Sequence, residues 1–254
     1  MNSLISHLVS LAFRLGSVAV CVTSVIVFAD QPTVQPIEKN PALLSREQFD
    51  QDISLVAIPG RNFLMMKYDV TFELWDACVA DGGCLGYRPS DENQGHARQP
   101  VININYEEAE SFAAWLSQRT ARKFRLPRSE EWEYAARGGS TTEFWWGSTV
   151  DCSKANFARL SGGVCEKNMG SRKVGIVVVD ALAPNPFGLY NITGNVWQWT
   201  STCAQPSGSA ECQRRVLRGG SWIDLPRFVS PAFTGNNLAI VHAPVYGFRL
   251  VVDK

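Results

Sequence analysis

The chain is 254 residues long, 45% apolar and 19% charged, which is enough for one ordinary globular core and for two only if both are small. Its 24 basic and 24 acidic side chains cancel. With no electrostatic footprint for tracking phosphates, nucleic acid is not expected as a partner.

At the N-terminus, His7 and Arg14 are the only ionisable side chains ahead of a short apolar run, Ser17 to Ala29, whose end offers small residues for cleavage. That pattern predicts an export signal over residues 1–29. The run is too short to span a bilayer comfortably. A longer, uncleaved anchor would recruit Leu4 to Phe13 across Arg14, a charge that disfavours insertion. Membrane contact is therefore expected only if the signal stays attached. Residues 30–52 are polar and proline-bearing (QPTVQPIEKNP) and read as a linker, which leaves 53–254 as the folded domain.

Three helices follow from periodicity. Thr71 can cap the first, which puts Leu74, Trp75, Cys78 and Val79 on one face and stops at Gly82-Gly83. Asn105 stands three residues before Glu108, a capping-box spacing. Behind it Ala109, Phe112, Ala113 and Leu116 recur along one apolar face, and this second helix should end near Thr120. The third follows Pro127 with Ser129 as its cap and ends at Arg137 before Gly138-Gly139, burying Trp132 and Ala136.

Beyond Gly139 the chain breaks into short apolar runs between Gly, Pro, Asn and Ser. Val174 to Val179, Val196 to Thr200, Val216 to Arg218 and Phe248 to Val252 are of strand length and rich in branched or aromatic residues. A few helices with many short strands make an α+β domain whose irregular loops need fastening. Cysteines supply it. Once Cys21 leaves with the signal, three close pairs remain: Cys78 and Cys84, Cys152 and Cys165, Cys203 and Cys212. Sequential pairing is expected from the short loops, each closure contributing about 2–3 kcal/mol in the chain-entropy model. Such usage suits an oxidising compartment, periplasmic or secreted. Zinc is the competing reading and a weak one, because no pair has the tight spacing of a zinc knuckle and the domain offers only His96 and His242.

Four segments carry a longer signature: RLPRSEEWEYAARGG (125–139), FGLYNITGNVWQW (187–199), RVLRGGSW (215–222) and YGFRL (246–250). Together they resemble the sulfatase-modifying-factor family, whose best-known member is the formylglycine-generating enzyme. The resemblance extends from about Leu55 to Val252 and implies a variant of the C-type lectin fold with little regular secondary structure. It also implies a catalytic pair of cysteines shortly after the Gly-Gly-Ser-aromatic turn. That pair binds copper(I) and oxidises a substrate cysteine to formylglycine. With Trp222 on the family's aromatic, Asp224 and Val229 stand where the cysteines would be. Neither is the soft ligand copper(I) selects, so copper is not expected. Relatives also carry a longer hairpin after the early Ile-Pro-Gly turn, whereas here Ile58-Pro59-Gly60 runs into Phe63 to Tyr68 within a few residues.

The 187–199 segment interleaves oxygen donors with aromatics. Asn191 and Gln198 offer side-chain carbonyls, and Gly194 and Val196 offer backbone ones, a set suited to a hard cation such as calcium. The resemblance implies the same site, with a glutamate where Gln198 stands. The other reading is a tight turn with Trp197 and Trp199 simply buried. A second calcium site implied by the resemblance falls on Asn156 and Phe157, with its remaining ligands unassigned between Leu160 and Asn168.

The residues thus point to an exported, disulfide-fastened domain with a non-catalytic binding or accessory role toward an exported protein or peptide. Trp222, Asp224, Arg227 and Phe228 are the expected lining of its ligand groove, an aromatic anchor beside a charged pair. Core plus surface loop is the alternative for these four. The competing function is an oxidoreductase of the formylglycine-generating or periplasmic maturation type, acting on a polypeptide through metal ligands the motifs do not reveal.

Overall fold

A computed structural model of the chain describes residues 46–158, 175–204 and 212–254. The expected signal over 1–29 and most of the expected linker lie outside these residues. Among the described residues no helix is long and apolar enough to cross a membrane.

Among the described residues four helices, α1 (Arg46–Asp52), α2 (Phe72–Ala80), α3 (Tyr106–Thr120) and α4 (Ser129–Arg137), alternate with short strands. β1 (Leu55–Ala57), β2 (Phe63–Met66), β3 (Phe124–Arg125) and β8 (Val251–Asp253) make one antiparallel sheet, ordered β1-β2-β8-β3. β4 (Trp197–Cys203), β5 (Arg214–Arg218), β6 (Gly235–Leu238) and β7 (Tyr246–Gly247) make the other, ordered β6-β5-β4-β7. Its β4–β5 and β5–β6 pairs are antiparallel and its short β4–β7 pair is parallel. Short 3-10 turns occupy Cys84–Gly86 and Pro226–Val229.

The helix signals act as their chemistry dictates. Thr71 is extended and its hydroxyl accepts from the Leu74 N–H at 3.2 Å, starting α2. α3 carries a full capping box: Asn105 Oδ1 accepts from Glu108 N–H and Glu108 Oε2 accepts from Asn105 N–H, each at 2.9 Å. α4 differs from expectation. Its cap position is Arg128, whose N–H is taken by Glu131 Oε2 at 2.8 Å. Ser129 is the first helical residue, and its hydroxyl instead accepts from Arg218 Nε at 2.7 Å. The hydroxyl is thus bonded to a buried guanidinium and not to the helix end.

Two further expectations are corrected. The last stretch of the expected linker is helix α1, which belongs to the fold because Phe49 packs edge-on to Trp115 at 6.1 Å and fully buried Asp52 pairs with Arg98 at 2.6 Å. In the run expected as a strand over 174–179, residues 175–179 form no strand. Side-chain amides hold its backbone instead: Ile176 N–H donates to Gln94 Oε1 and Val177 N–H to Asn195 Oδ1, while Asn195 Nδ2 and Asn191 Nδ2 donate to the Val177 and Val178 carbonyls.

The largest core cluster joins α2 and α3 to the second sheet. Trp75 and Phe112 stack at 5.8 Å and Phe248 meets Phe112 edge-on at 5.5 Å, contacts that add about 0.5–1.5 kcal/mol each beyond area burial. A second cluster surrounds Trp132, and a third gathers Phe144, Cys152, Ala155, Phe157 and Val229. Cys78–Cys84 and Cys203–Cys212 are bonded as expected. Cys152 is also disulfide-bonded; Cys165, its expected partner, lies outside the described residues.

Candidate functional site

Three motif segments distant in sequence meet at one place. Gly194 N–H donates to Gly219 O at 2.7 Å, Asn195 N–H to Asn156 O at 2.7 Å, Trp222 N–H to Asn195 O at 3.1 Å and Ala158 N–H to Asp224 O at 2.8 Å. The segments 155–158, 191–198 and 219–229 are therefore one knot of backbone. Gly220 permits a close approach within it: at φ +67° a Cβ there would lie 2.7 Å from Phe228 O. Gly194 is as constrained, because at φ +74° a Cβ would lie 2.4 Å from Asn156 O.

In this knot Asp224 faces inward. Its Oδ2 accepts from Trp197 Nε1 at 2.8 Å, from Ser221 N–H at 2.9 Å and from the Ser221 hydroxyl. One oxygen thus closes the 221–224 turn and ties it to β4. Val229 is fully buried in the third cluster beside Phe144. Of the two positions that the resemblance matches to the catalytic cysteines, Asp224 is thus taken up by hydrogen bonds and Val229 by packing.

The other expected groove residues lie on the same turn. Trp222 is half-buried against the main core, with its Nε1 buried and without a partner. Arg227 is exposed and its guanidinium sits 4.5 Å over the Phe228 ring. Phe228 packs edge-on to Phe233 at 4.8 Å, and Phe233 lies 6.0 Å from Trp197. Sequence reasoning missed Phe233, Ser221 and Trp197 as the supports of this turn. Ser221 was signalled by the Gly-Gly-Ser-Trp frame and Trp197 by the 187–199 segment, while Phe233 lies outside both. Ile223, at 53% exposure, is the most exposed residue of the turn's apolar set.

In the amide-rich turn, Gln198 has no exposed surface. Its Oε1 accepts from Trp132 Nε1 at 2.7 Å and from Arg249 Nε at 2.8 Å, and its Nε2 is buried without a partner. Arg249 is fully buried too and pairs with Asp69 at 2.9 Å. Asn191 Nδ2 donates to Val178 O at 3.0 Å, which leaves Asn191 Oδ1 buried and unpartnered. The Gly194 carbonyl accepts from Val196 N–H at 2.9 Å. These residues do not fit the calcium ion that the resemblance implies: Asn191 Oδ1 is free to accept, but the one oxygen of Gln198 is occupied by N–H donors and the free group of that side chain is another donor. At the second implied site, Asn156 Nδ2 donates to Gly175 O and Asn195 Oδ1, and Phe157 is buried in the third cluster. The stretch meant to complete it, Leu160 to Asn168, lies outside the described residues. Among the described residues no cluster of three or more His, Cys, Asp or Glu side chains could hold a metal.

A concavity of 580 Å³ lies elsewhere, lined by Arg61, Phe63, Arg125, Arg128, Glu131 and Asp253 among others. Its charges are largely matched internally: Arg125 bridges Glu131 and Asp253, and Arg128 reaches Glu130 and Glu131. None of the expected groove residues lines it.

Two small sheets, few helices and irregular loops fastened by side-chain amides define an α+β protein with the formylglycine-generating-enzyme-like variant of the C-type lectin fold. Residues 43–254 match the model of the Sulfatase-modifying factor enzyme 1-like domain, and the chain belongs to that family. It is 38% identical over 130 residues to Inactive C-alpha-formylglycine-generating enzyme 2 of Mus musculus, covering 49% of this chain and 38% of that protein. To the Formylglycine-generating enzyme of the same organism it is 33% identical over 140 residues, covering 50% and 36%. The chain thus spans well under half the length of these relatives. Among solved structures, PvdO from Pseudomonas aeruginosa superposes with a TM-score of 0.61 at 27% identity, covering 76% of this chain and 80% of that one.

Proposed function

We propose that this chain is an exported, non-catalytic member of its family that binds or assists an exported protein or peptide, through the face carrying Trp222, Arg227 and Phe228. The observation that carries this reading is the use made of the two cysteine-matched positions. Asp224 is consumed by Trp197 and Ser221, and Val229 by the core. Replacing thiolates with a hydrogen-bonded carboxylate and a buried methyl pair removes the soft ligands that copper(I) chemistry needs. Likeness to a relative named inactive, and a disulfide-fastened fold suited to an oxidising compartment, support the same reading.

The test has two arms. Mature protein supplied with copper(I), oxygen and a peptide containing Cys-x-Pro-x-Arg is expected to leave the peptide cysteine unchanged by mass spectrometry. Oxidation above the peptide-only control would return the chain to the oxidoreductase class. In the second arm, crosslinked capture from the exported fraction should recover a partner with the native protein and lose it with Trp222→Ala combined with Arg227→Ala. Capture indifferent to that double change would place the binding face elsewhere.

A further inference from the structure

The orientation of two buried amides decides what the 191–198 turn can hold. Gln198 receives two N–H donors, Trp132 Nε1 and the cationic Arg249 Nε, on a single oxygen. Rotating the amide by half a turn would set its NH2 against both donors, so Oε1 must face them and Nε2 must face away. Asn191 is locked in the same manner, because its Nδ2 donates to Val178 O and its Oδ1 is left on the opposite side. The turn is thus left with three buried polar groups without a partner, the acceptor Asn191 Oδ1, the donor Gln198 Nε2 and the Thr193 hydroxyl, which can act as either.

A cation satisfies the acceptor and is opposed by the donor. Water can satisfy either group, donating to the oxygen or accepting from the NH2, and buried waters lie where unsatisfied polar groups need them. Calcium also draws its affinity from ligand charge, and among Asn191, Gly194, Val196 and Gln198 there is none, while Arg249 places a fixed positive charge against Gln198.

We infer that Gln198 closes this turn to calcium and that water takes the position in its place. The residue acts as a filter through its NH2 group. Gln198→Glu keeps one oxygen for Trp132 and Arg249 and turns the orphan donor into a carboxylate oxygen, the charged hard ligand that the turn lacks. This substitution should open the turn to calcium without altering its backbone.

The full mature protein is melted by circular dichroism in EGTA and in millimolar calcium chloride, and titrated with terbium, a calcium stand-in that Trp132, Trp197 or Trp199 can sensitise. For the native chain, no change in Tm and no saturable terbium emission are expected. For Gln198→Glu, saturating calcium should raise Tm by roughly 5 °C or more, since a ligand at about one hundred times its Kd stabilises appreciably. A calcium-dependent rise in the native protein that Asn191→Ala abolishes would overturn the inference. So would a Gln198→Glu variant that melts cooperatively yet ignores calcium, because Gln198 would then not be what closes the turn. Neither result touches the cysteine-matched positions, so the proposed function stands or falls separately.

Discussion

Arg249 and Asp69 are both without exposed surface, 2.9 Å apart, in the middle of the protein. The guanidinium is otherwise held by Gln198 Oε1 and by the carbonyls of Met66, Lys67 and Tyr190. Asp69 has no such company, and its Oδ2 is unpartnered. Burial accordingly pushes its carboxyl up to about 6, against the opposing pull of Arg249, and burial lowers Arg249 in turn. The sign follows from linkage. A carboxyl raised above its unfolded value binds a proton more readily when folded, so its contribution to stability is fully present below the unfolded value near 3.8 and is lost as pH rises through about 6. Asp69→Asn removes the titration while keeping an acceptor for Arg249. Compared by urea unfolding, the native protein should gain on this variant by roughly 1–3 kcal/mol as pH falls from about 7 to about 4. A gap that stays constant across that range would show that Asp69 does not titrate there. None of this was legible in the sequence, where YGFRL marks Arg249 but nothing marks Asp69 as its partner 180 residues earlier.

The segment 175–179 shows why an apolar, branched run need not be a strand. Its hydrogen-bonding groups are met by Gln94, Asn195, Asn191 and the Arg98 carbonyl, partners 13 to 82 residues away. Asn195 does most: its amide both accepts from Val177 N–H at 2.9 Å and donates to Val177 O at 3.1 Å, and it also accepts from Asn156. It sits at φ +66°, a conformation that asparagine and glycine tolerate. Asn195→Gly keeps that backbone and deletes the clamp, so its cost isolates the amide; about 2–4 kcal/mol is expected from the buried backbone groups left unpaired. Thermal melts of Asn195→Gly beside Asn195→Ala check this, and a near-neutral glycine variant would assign the effect to backbone conformation instead. Helices α2 and α3 were legible because a cap and an apolar period lie within a few residues of each other. This loop was not, because its structure is written in amides that read locally as turn formers. The same holds at the turn carrying Trp222: its frame was visible, but the inward facing of Asp224 depends on Trp197, 27 residues earlier.

At the scale of the molecule, the first sheet is closed by its last strand. β8 lies between β2 and β3, with Val252 opposite both Leu64 and Phe124 and Val251 opposite Met65 and Arg125. Val251 belongs to the Trp132 cluster and Val252 to the main core, so two adjacent residues join two clusters. Asp253 adds a pairing to Arg125 of β3. The sequence showed a strand-length run over 248–252, yet its central place came from partners more than one hundred residues earlier in β2 and β3, which no local pattern encodes. Removing Val251 to Lys254 would forfeit two buried valines, about 1.5–3 kcal/mol each, and leave two strands with facing unpaired edges at about 1 kcal/mol per hydrogen bond lost. Those losses approach the whole stability of an ordinary domain, about 5–15 kcal/mol. The truncated chain should therefore lose its cooperative melting transition. Removal of Lys254 alone, which is exposed and donates only to the carbonyls of Arg61 at 3.3 Å and Asn62 at 3.2 Å, should leave Tm nearly unchanged. If both truncations melt like the native protein, β8 is an ornament on the sheet and the two clusters are joined elsewhere.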